Sequence, residues 1–300
     1  MLQKVHPRAS VLSRDDTMQP RLLMCEPTHF AISYSINPWM KPDEWAAAAH
    51  AVAERQWRGL HKALGSTGAI IETVSPREGL PDLVFTANAA VVHDRKALLA
   101  RFRFPERQGE EPVFAAAFDT FVGRGLIDTI VPMPDGIVFE GAGDCLFDEA
   151  RNLFWMGCGQ RSDRAAAGVV QATFGLEVVP LQLADPRFYH LDTCFCPLPS
   201  GAVIYHPAAF TDEARVAIEA RVSADQRITL TEAEAAQFCA NAVPIGRTVV
   251  MSRCSKRLRG ELTRHGHRVI ATPLDTFLQS GGSAACLTLR LDRCSRIRST

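Results

Sequence analysis

The sequence predicts an α/β fold, and three observations carry that reading. Short β-like runs alternate with amphipathic helical stretches along the chain. No Pro/Gly/Ser-rich linker divides its 300 residues. Hydrophobic residues are 47% and charged residues 22%, as in an ordinary globular protein. A chain this long buries roughly three-quarters of the surface it would expose unfolded, so it needs no staples to fold.

The elements follow in order. Residues 1–20 are polar and aperiodic and read as a loose tail. Residues 21–296 read as one domain and 297–300 as a short tail. Leu22 to Cys25 reads as a strand. Pro42, Asp43 and Glu44 open a helix, because proline fits a first turn and acids favour the positive end. That helix is expected to run to Leu64 and stop at Gly65, with Trp45, Ala48, Ala49, Val52, Leu60 and Leu64 on one buried stripe. Strands are expected at 69–74, 83–92 and 97–102, then a helix at 113–121. Extended runs follow at 129–132, 152–156 and 176–183, with a helix at 164–173 ended by Gly175. A strand at 203–206 precedes a helix from Asp212 capped by Thr211. Thr231 and Glu234 form a capping box for the next helix. Strands at 248–252, 268–271 and 287–291 complete the reading. No exact internal repeat is visible, though weak repetition of strand-strand-helix units is compatible with it.

Charge and cysteine usage narrow the function. Lys plus Arg is 33 and Asp plus Glu is 33, a formal net charge of zero. That argues against nucleic acid or an acidic membrane as the main partner. No apolar run approaches the ~20 residues of a membrane span. The first twenty residues carry Lys4, Arg8, Arg14, Asp15 and Asp16 and no signal-peptide core. With an odd count of nine cysteines, this predicts a cytoplasmic protein with reduced thiols. There is no P-loop. Gly141-Ala142-Gly143 lacks the third glycine of a dinucleotide fingerprint. Cys194-x-Cys196 has no second pair at zinc-finger spacing. The sequence therefore implies no cofactor and no metal. A small-molecule substrate is the expected partner, and a homo-oligomer stays open.

Four stretches could carry chemistry. Ser280-Gly281-Gly282-Ser283-Ala284-Ala285-Cys286 is a small-residue turn that lets backbone approach a ligand, ending in a potential thiol nucleophile. A buried structural cysteine is the bland alternative. In Tyr189-His190-Leu191-Asp192-Thr193-Cys194-Phe195-Cys196, a strand would put His190 and Asp192 on one face, an acid/base beside a cation binder. A core histidine near a structural aspartate is the alternative. Phe139-Glu140-Gly141-Ala142-Gly143-Asp144 places two acids around flexible backbone. Pro81-Asp82-Leu83-Val84-Phe85-Thr86-Ala87-Asn88 places Asp82 and Asn88 in an apolar segment. Each of these two could be merely turn-forming. Together the four suit a guanidinium, a planar cation that wants acceptors in its plane and whose carbon a thiolate can attack.

The chain resembles the guanidino-group-modifying family of arginine deiminases, amidinotransferases and dimethylarginine dimethylaminohydrolases. The matching stretches are LLMCEPTHF with INPWM, PDLVFTANAA, ERQGEEP, FEGAGD, FYHLDTCFCPL and GGSAACLTLR, spanning 22 to about 291. INPWM paired with FTANA looks most like the bacterial arginine dihydrolases. The resemblance implies a pentein fold, five ββαβ-like units around a pseudo-fivefold axis with substrate in the central channel. It implies Cys286 as nucleophile and His190 as general acid/base. It implies Glu140 as the carboxylate orienting His190 and touching the guanidinium, and Asp192 as a guanidinium binder. Substrate contacts are implied for Asn37, Asn88, Arg101 and Arg161, with Phe85 and Asp144 from the matching motifs. The two arginines would hold the substrate α-carboxylate. Asn88 stands where deiminases usually carry Asp, and Ala285 where relatives carry a larger, often basic residue. The implied activity is hydrolysis of arginine to ornithine, ammonia and carbon dioxide. The alternatives are a dimethylarginine hydrolase or deiminase stopping at citrulline, an amidinotransferase, and a non-catalytic binding protein.

Overall fold

The computed structural model describes residues 19–46 and 48–295. The expected tails at 1–20 and 297–300 lie outside the described residues, except for 19 and 20. Fifteen strands are found among the described residues: β1 Arg21–Cys25, β2 Ile70–Val74, β3 Ala90–His93, β4 Lys96–Leu99, β5 Thr129–Val131, β6 Cys145–Asp148, β7 Leu153–Cys158, β8 Val178–Gln182, β9 Phe195–Pro197, β10 Val203–Tyr205, β11 Arg227–Thr229, β12 Val243–Ile245, β13 Thr248–Met251, β14 Arg268–Ala271 and β15 Leu289–Arg290. They form five three-stranded sheets, ordered β15-β1-β2, β3-β4-β5, β6-β7-β8, β9-β10-β11 and β12-β13-β14.

All five sheets share one plan. The middle strand is antiparallel to the first and parallel to the third. A parallel pairing needs a crossover, and a helix supplies it in each unit. The five are Ala49–Gly65, Glu111–Gly123, Ala166–Phe174, Asp212–Glu219 and Lys256–Arg264. The last strand of the chain, β15, completes the sheet that β1 begins, so chain closure joins the first unit to the fifth.

Each crossover helix buries one stripe. Ala53, Trp57, Leu60 and Leu64 repeat at helical spacing, as do Phe114, Phe118 and Phe121, and Leu258 and Leu262. Fully burying such a side chain contributes about 1.5–3 kcal/mol. Middle strands such as β1, β7 and β13 are buried along their length. They read as continuous apolar runs because sheet and helix cover both faces. The third strands β5 and β14 lie outermost and are half-exposed. The first strands of all five sheets line a common cavity of about 100 Å³, with Val91, Phe147, Phe195, Val243 and Leu289 among its walls.

Several local expectations are corrected. Pro42–Glu44 is a separate 3-10 turn, and the α-helix starts only at Ala49. The expected strand at 83–92 is two 3-10 turns, Pro81–Val84 and Thr86–Ala89, followed by the short β3. Its apolar character reflects complete burial rather than pleating. The strand expected around His190 is a 3-10 turn, Leu191–Thr193, ahead of β9. The strand expected at 287–291 is only Leu289–Arg290. Both caps form as read. Thr211 Oγ1 accepts from Ala214 N–H, and Thr231 and Glu234 make a reciprocal box.

Candidate active site

The repeat gathers the polar residues. Each unit enters its first strand through a tight turn or short helix, and these approaches meet around the axis. Glu140 and His190 stand five residues before β6 and β9, Asp192 and Cys286 three before β9 and β15, and Asn88 and Asn241 two before β3 and β12. Residues far apart in sequence are thereby brought to one buried centre.

Cys286 is buried, and its Sγ lies 3.2 Å from Asp192 Oδ2. Burial, reinforced by the Asp192 charge, pushes the thiol well above its ordinary value. Burial also pushes the Asp192 carboxyl up to about 7. Asp192 Oδ1 is buried with no hydrogen-bond partner. An orphaned carboxylate oxygen beside a thiol is a ready acceptor for a guanidinium N–H.

His190 Nε2 lies 2.7 Å from Glu140 Oε2, which also accepts from Arg161 Nη1 at 2.9 Å. Glu140 Oε1 accepts from the Arg103 N–H. Burial alone would raise the Glu140 carboxyl. The Arg161 charge and the His190 hydrogen bond overcome it and hold the carboxyl well below the usual range. Burial lowers His190 to about 4 against the opposing pull of Glu140. The ring is therefore neutral at pH 7, with Nε2–H donating to Glu140 and Nδ1 as its basic nitrogen. Arg161 is itself sandwiched between the Phe104 and Tyr189 rings, each 4.7 Å from its guanidinium carbon. Its Nη2 donates to Ile36 O.

Asn88 Oδ1 accepts from Arg107 Nη1 at 2.9 Å, so its NH₂ faces Glu140 O at 3.2 Å. Arg107 is buried and makes a bidentate pair with Glu110, at 2.8 and 2.7 Å. Gly143 separates Asn88 from His190. A Cβ there would come within 2.2 Å of Asn88 Nδ2 and 3.3 Å of the His190 ring, so only glycine fits.

The remaining expected residues fall in three groups. Asp144 is buried beneath the site with both oxygens used, by Ser162 Oγ and Leu191 N–H. Asn37 and Phe85 support the nucleophile turn: Asn37 Nδ2 donates to Ser280 O, and the Phe85 ring fills the space a Cβ on Gly282 would need. Arg101 is not brought to the centre. Its backbone bridges to Phe139, but its half-exposed guanidinium turns outward to Met133 O and Asp135. The buried guanidinium groups of the centre are Arg107 and Arg161. Glu140 orients His190 as expected, and both its oxygens also accept from within the protein, Oε2 from Arg161 and Oε1 from the Arg103 N–H. Sequence reasoning missed Arg107 and Asn241. Arg107 lies in the quoted ERQGEEP stretch. Asn241 had one signal: Ala240-Asn241-Ala242 repeats Ala87-Asn88-Ala89.

The centre is electrically lopsided. Asp82, Glu110, Glu140, Asp144 and Asp192 are all buried, against the guanidinium groups of Arg107 and Arg161. Burial pushes the carboxyls of Asp82, Asp144 and Asp192 upward. A cation entering here would be stabilised.

Comparison with known proteins agrees with this chemistry. The family model described as N,N dimethylarginine dimethylhydrolase, eukaryotic, matches residues 26–293. The bifunctional arginine dihydrolase/ornithine cyclodeaminase AgrE of Nostoc is 43% identical over 275 residues, 92% of this chain and 38% of AgrE. The chain thus spans well under half the length of that relative. The N(G),N(G)-dimethylarginine dimethylaminohydrolase of Mycobacterium tuberculosis is 36% identical over 90% of this chain and 85% of its own. Among solved structures, the product-bound N-terminal domain of ArgZ, an arginine dihydrolase from cyanobacteria, superposes with TM-score 0.87 at 41% identity. It covers 92% of this chain and 98% of that domain. A dimethylarginine dimethylaminohydrolase adduct at 21% identity shares the fold, with TM-score 0.73. With five sheets on one plan and a Cys-His-Glu-Asp centre where they meet, the chain belongs to the dimethylarginine dimethylaminohydrolase family of guanidino-modifying proteins and has the pentein fold.

Proposed function

We propose that the protein is an arginine dihydrolase, hydrolysing free L-arginine to ornithine, two ammonia and carbon dioxide through a Cys286 adduct. The observation that carries this is a buried thiol against Asp192 in a centre with excess carboxylate. The guanidinium docks on Asp192, its charge favouring transfer of the Cys286 thiol proton to His190 Nδ1. The thiolate adds to the guanidino carbon. A terminal C–N bond breaks and ammonia leaves with a proton delivered by His190. Water then gives a proton to His190 Nδ1 and adds to the same carbon, the C–S bond breaks, and citrulline forms. A second round on the ureido carbon expels the second ammonia. Its hydrolysis leaves a carbamate that separates into ornithine and carbon dioxide. All nine cysteines are free thiols, which supports a reducing, cytoplasmic setting. No helix among the described residues is long and apolar enough to cross a membrane.

The second round needs neutral citrulline to stay bound. Asn88 supports it, because an amide there adds no charge to the carboxylates already present. Product analysis tests the reading. Purified protein fed arginine is expected to yield two ammonia per ornithine, and Asn88→Asp is expected to stop at citrulline with one. Ornithine output unchanged in Asn88→Asp would remove Asn88 from the argument. Citrulline from the wild type, or methylamine release from methylated arginine, would favour the second reading, a hydrolase that stops at citrulline. The match to the dimethylargininase model supports that reading.

The Asp192 shift fixes a pH dependence. Its carboxyl titrates near 7 when the site is empty, so below that pH it is neutral and holds a cation poorly. The kcat/KM for arginine is expected to fall about tenfold per pH unit below 7 and level off above it. His190, lowered to about 4, adds no limb between pH 5 and 8. A profile flat from pH 6 to 8 would contradict the role given to Asp192.

A further inference from the structure

We infer that Asn241 is a catalytic residue of this site, the side-chain hydrogen-bond donor that holds the Cys286 thiolate. The inference rests on reading Cys286 as the nucleophile. Asn241 is fully buried, and its Nδ2 lies 3.0 Å from Cys286 Sγ and 3.1 Å from Asp192 O. Its Oδ1 accepts from the backbone N–H groups of Ala285 and Cys286, at 2.9 and 3.2 Å.

These four contacts leave the amide one orientation. Turned over, its NH₂ would face two N–H donors and its oxygen would face the Asp192 carbonyl oxygen. One amide hydrogen therefore goes to Asp192 O and the other to sulfur. The Ser283 backbone also donates to that sulfur and lowers the thiol, and among the described residues Asn241 supplies the side-chain N–H on it. A buried thiolate needs a fixed dipole in place of water. His190 cannot serve, since its Nε2–H is committed to Glu140. Asp192 stabilises only the protonated thiol, by accepting from it.

The backbone leading to Asn241 is strained in a way that fits this task. Phe238 adopts a left-handed φ of 49°, uncommon for a bulky residue. Its buried ring packs on Trp39 and Phe188, and its carbonyl accepts from the Asn241 N–H. Ring burial holds the turn, and the turn aims the amide. The same amide pins the backbone of 285 and 286, fixing where Sγ stands relative to Asp192.

The test reads the thiol itself. Alkylation of Cys286 by iodoacetamide, followed by mass spectrometry of its peptide across pH 6–10, gives the apparent pKa of the sulfur. Asn241→Ala is expected to raise that pKa by one unit or more and to slow alkylation at pH 8 about tenfold. It is expected to lower kcat for arginine with little change in KM. If that variant does not fold, Asn241→Asp keeps the backbone contacts and puts an anion against the sulfur, with a larger shift expected in the same direction. An alkylation profile identical to wild type in a folded variant would overturn the inference, whatever happens to kcat. Alkylation does not depend on whether the product is ornithine or citrulline, so failure of the dihydrolase reading shows separately in the wild-type products.

Discussion

Cys286→Ala is expected to abolish ammonia release from arginine while leaving a folded protein that still binds it. In the proposed mechanism the sulfur is the attacking atom, and no neighbouring group can replace it. His190 is turned toward Glu140, and Asp192 is needed for the guanidinium. Removing a covalent nucleophile costs on the order of 10⁴-fold or more in kcat. The fold loses little, because the substitution removes one sulfur from a wall that Asn241 continues to hold through the 285 and 286 amides. Asp192 keeps its carboxylate, so arginine is expected to raise the melting temperature of the variant. Quenched wild-type protein is expected to show the mass of a substrate adduct on the Cys286 peptide, absent in the variant. The buried Cys145, Cys194 and Cys196 serve as controls. Burial raises each of their thiols, and alanine at each is expected to leave kcat within a few-fold. Turnover above a hundredth of wild type in Cys286→Ala would refute the nucleophile assignment.

The turn that carries Cys286 was legible in the sequence because it is made of residues too small to be there for packing. A Cβ on Gly281 would strike Tyr189, and one on Gly282 would strike Phe85. The helix caps were legible too, since a cap is a contact between residues three apart. The approaches to the first strands were not. Leu83, Val84 and Phe85 look like a strand because they are apolar. They are apolar because the centre of five converging sheets excludes water from turns as well. The His190–Asp192 spacing suggested a shared strand face. A 3-10 turn, not a strand, brings both residues inward, a geometry the period-two pattern does not contain. Arg101 and Arg107 stand six residues apart, and the sequence alone does not separate them. Arg101 pairs its backbone with Phe139 beside Glu140, and which way its side chain then turns depends on Asp135, a contact across 34 positions.

Arg107 is where the largest loss of stability is expected. Its guanidinium is buried and holds three partners at once. It pairs with Glu110, orients Asn88, and donates to Asp82 O. Burial of both charges makes the pair a poor net stabiliser when intact. Breaking it is another matter. Arg107→Met fills much of the same volume but leaves Glu110, itself wholly buried, without a counter-charge, and removes the donor that fixes the Asn88 amide. Stranding one member of a buried pair costs about 3–5 kcal/mol, which for a chain of this size is a fall in Tm on the order of 5–10 °C. Asp82 and Glu140 lose a neighbouring positive charge as well, since Arg107 opposes the upward pull of burial on both carboxyls. The variant's stability is therefore expected to improve more steeply than the wild type's as pH falls from 8 to 6, because Glu110 and Asp192, already raised to about 7 in the wild type, give both proteins some gain and loss of the Arg107 charge raises Glu110 further. Adding Glu110→Gln to Arg107→Met is expected to recover more than half of the loss, because it removes the stranded charge without restoring the pair. Arginine hydrolysis is not expected to return in the double variant, since Asn88 still lacks the donor that holds its amide in place. Thermal melts of the two variants at pH 6 and 8 separate these contributions. A double variant no more stable than Arg107→Met would mean that lost packing around Phe102, on which the guanidinium lies 4.5 Å from the ring centre, outweighs the stranded charge.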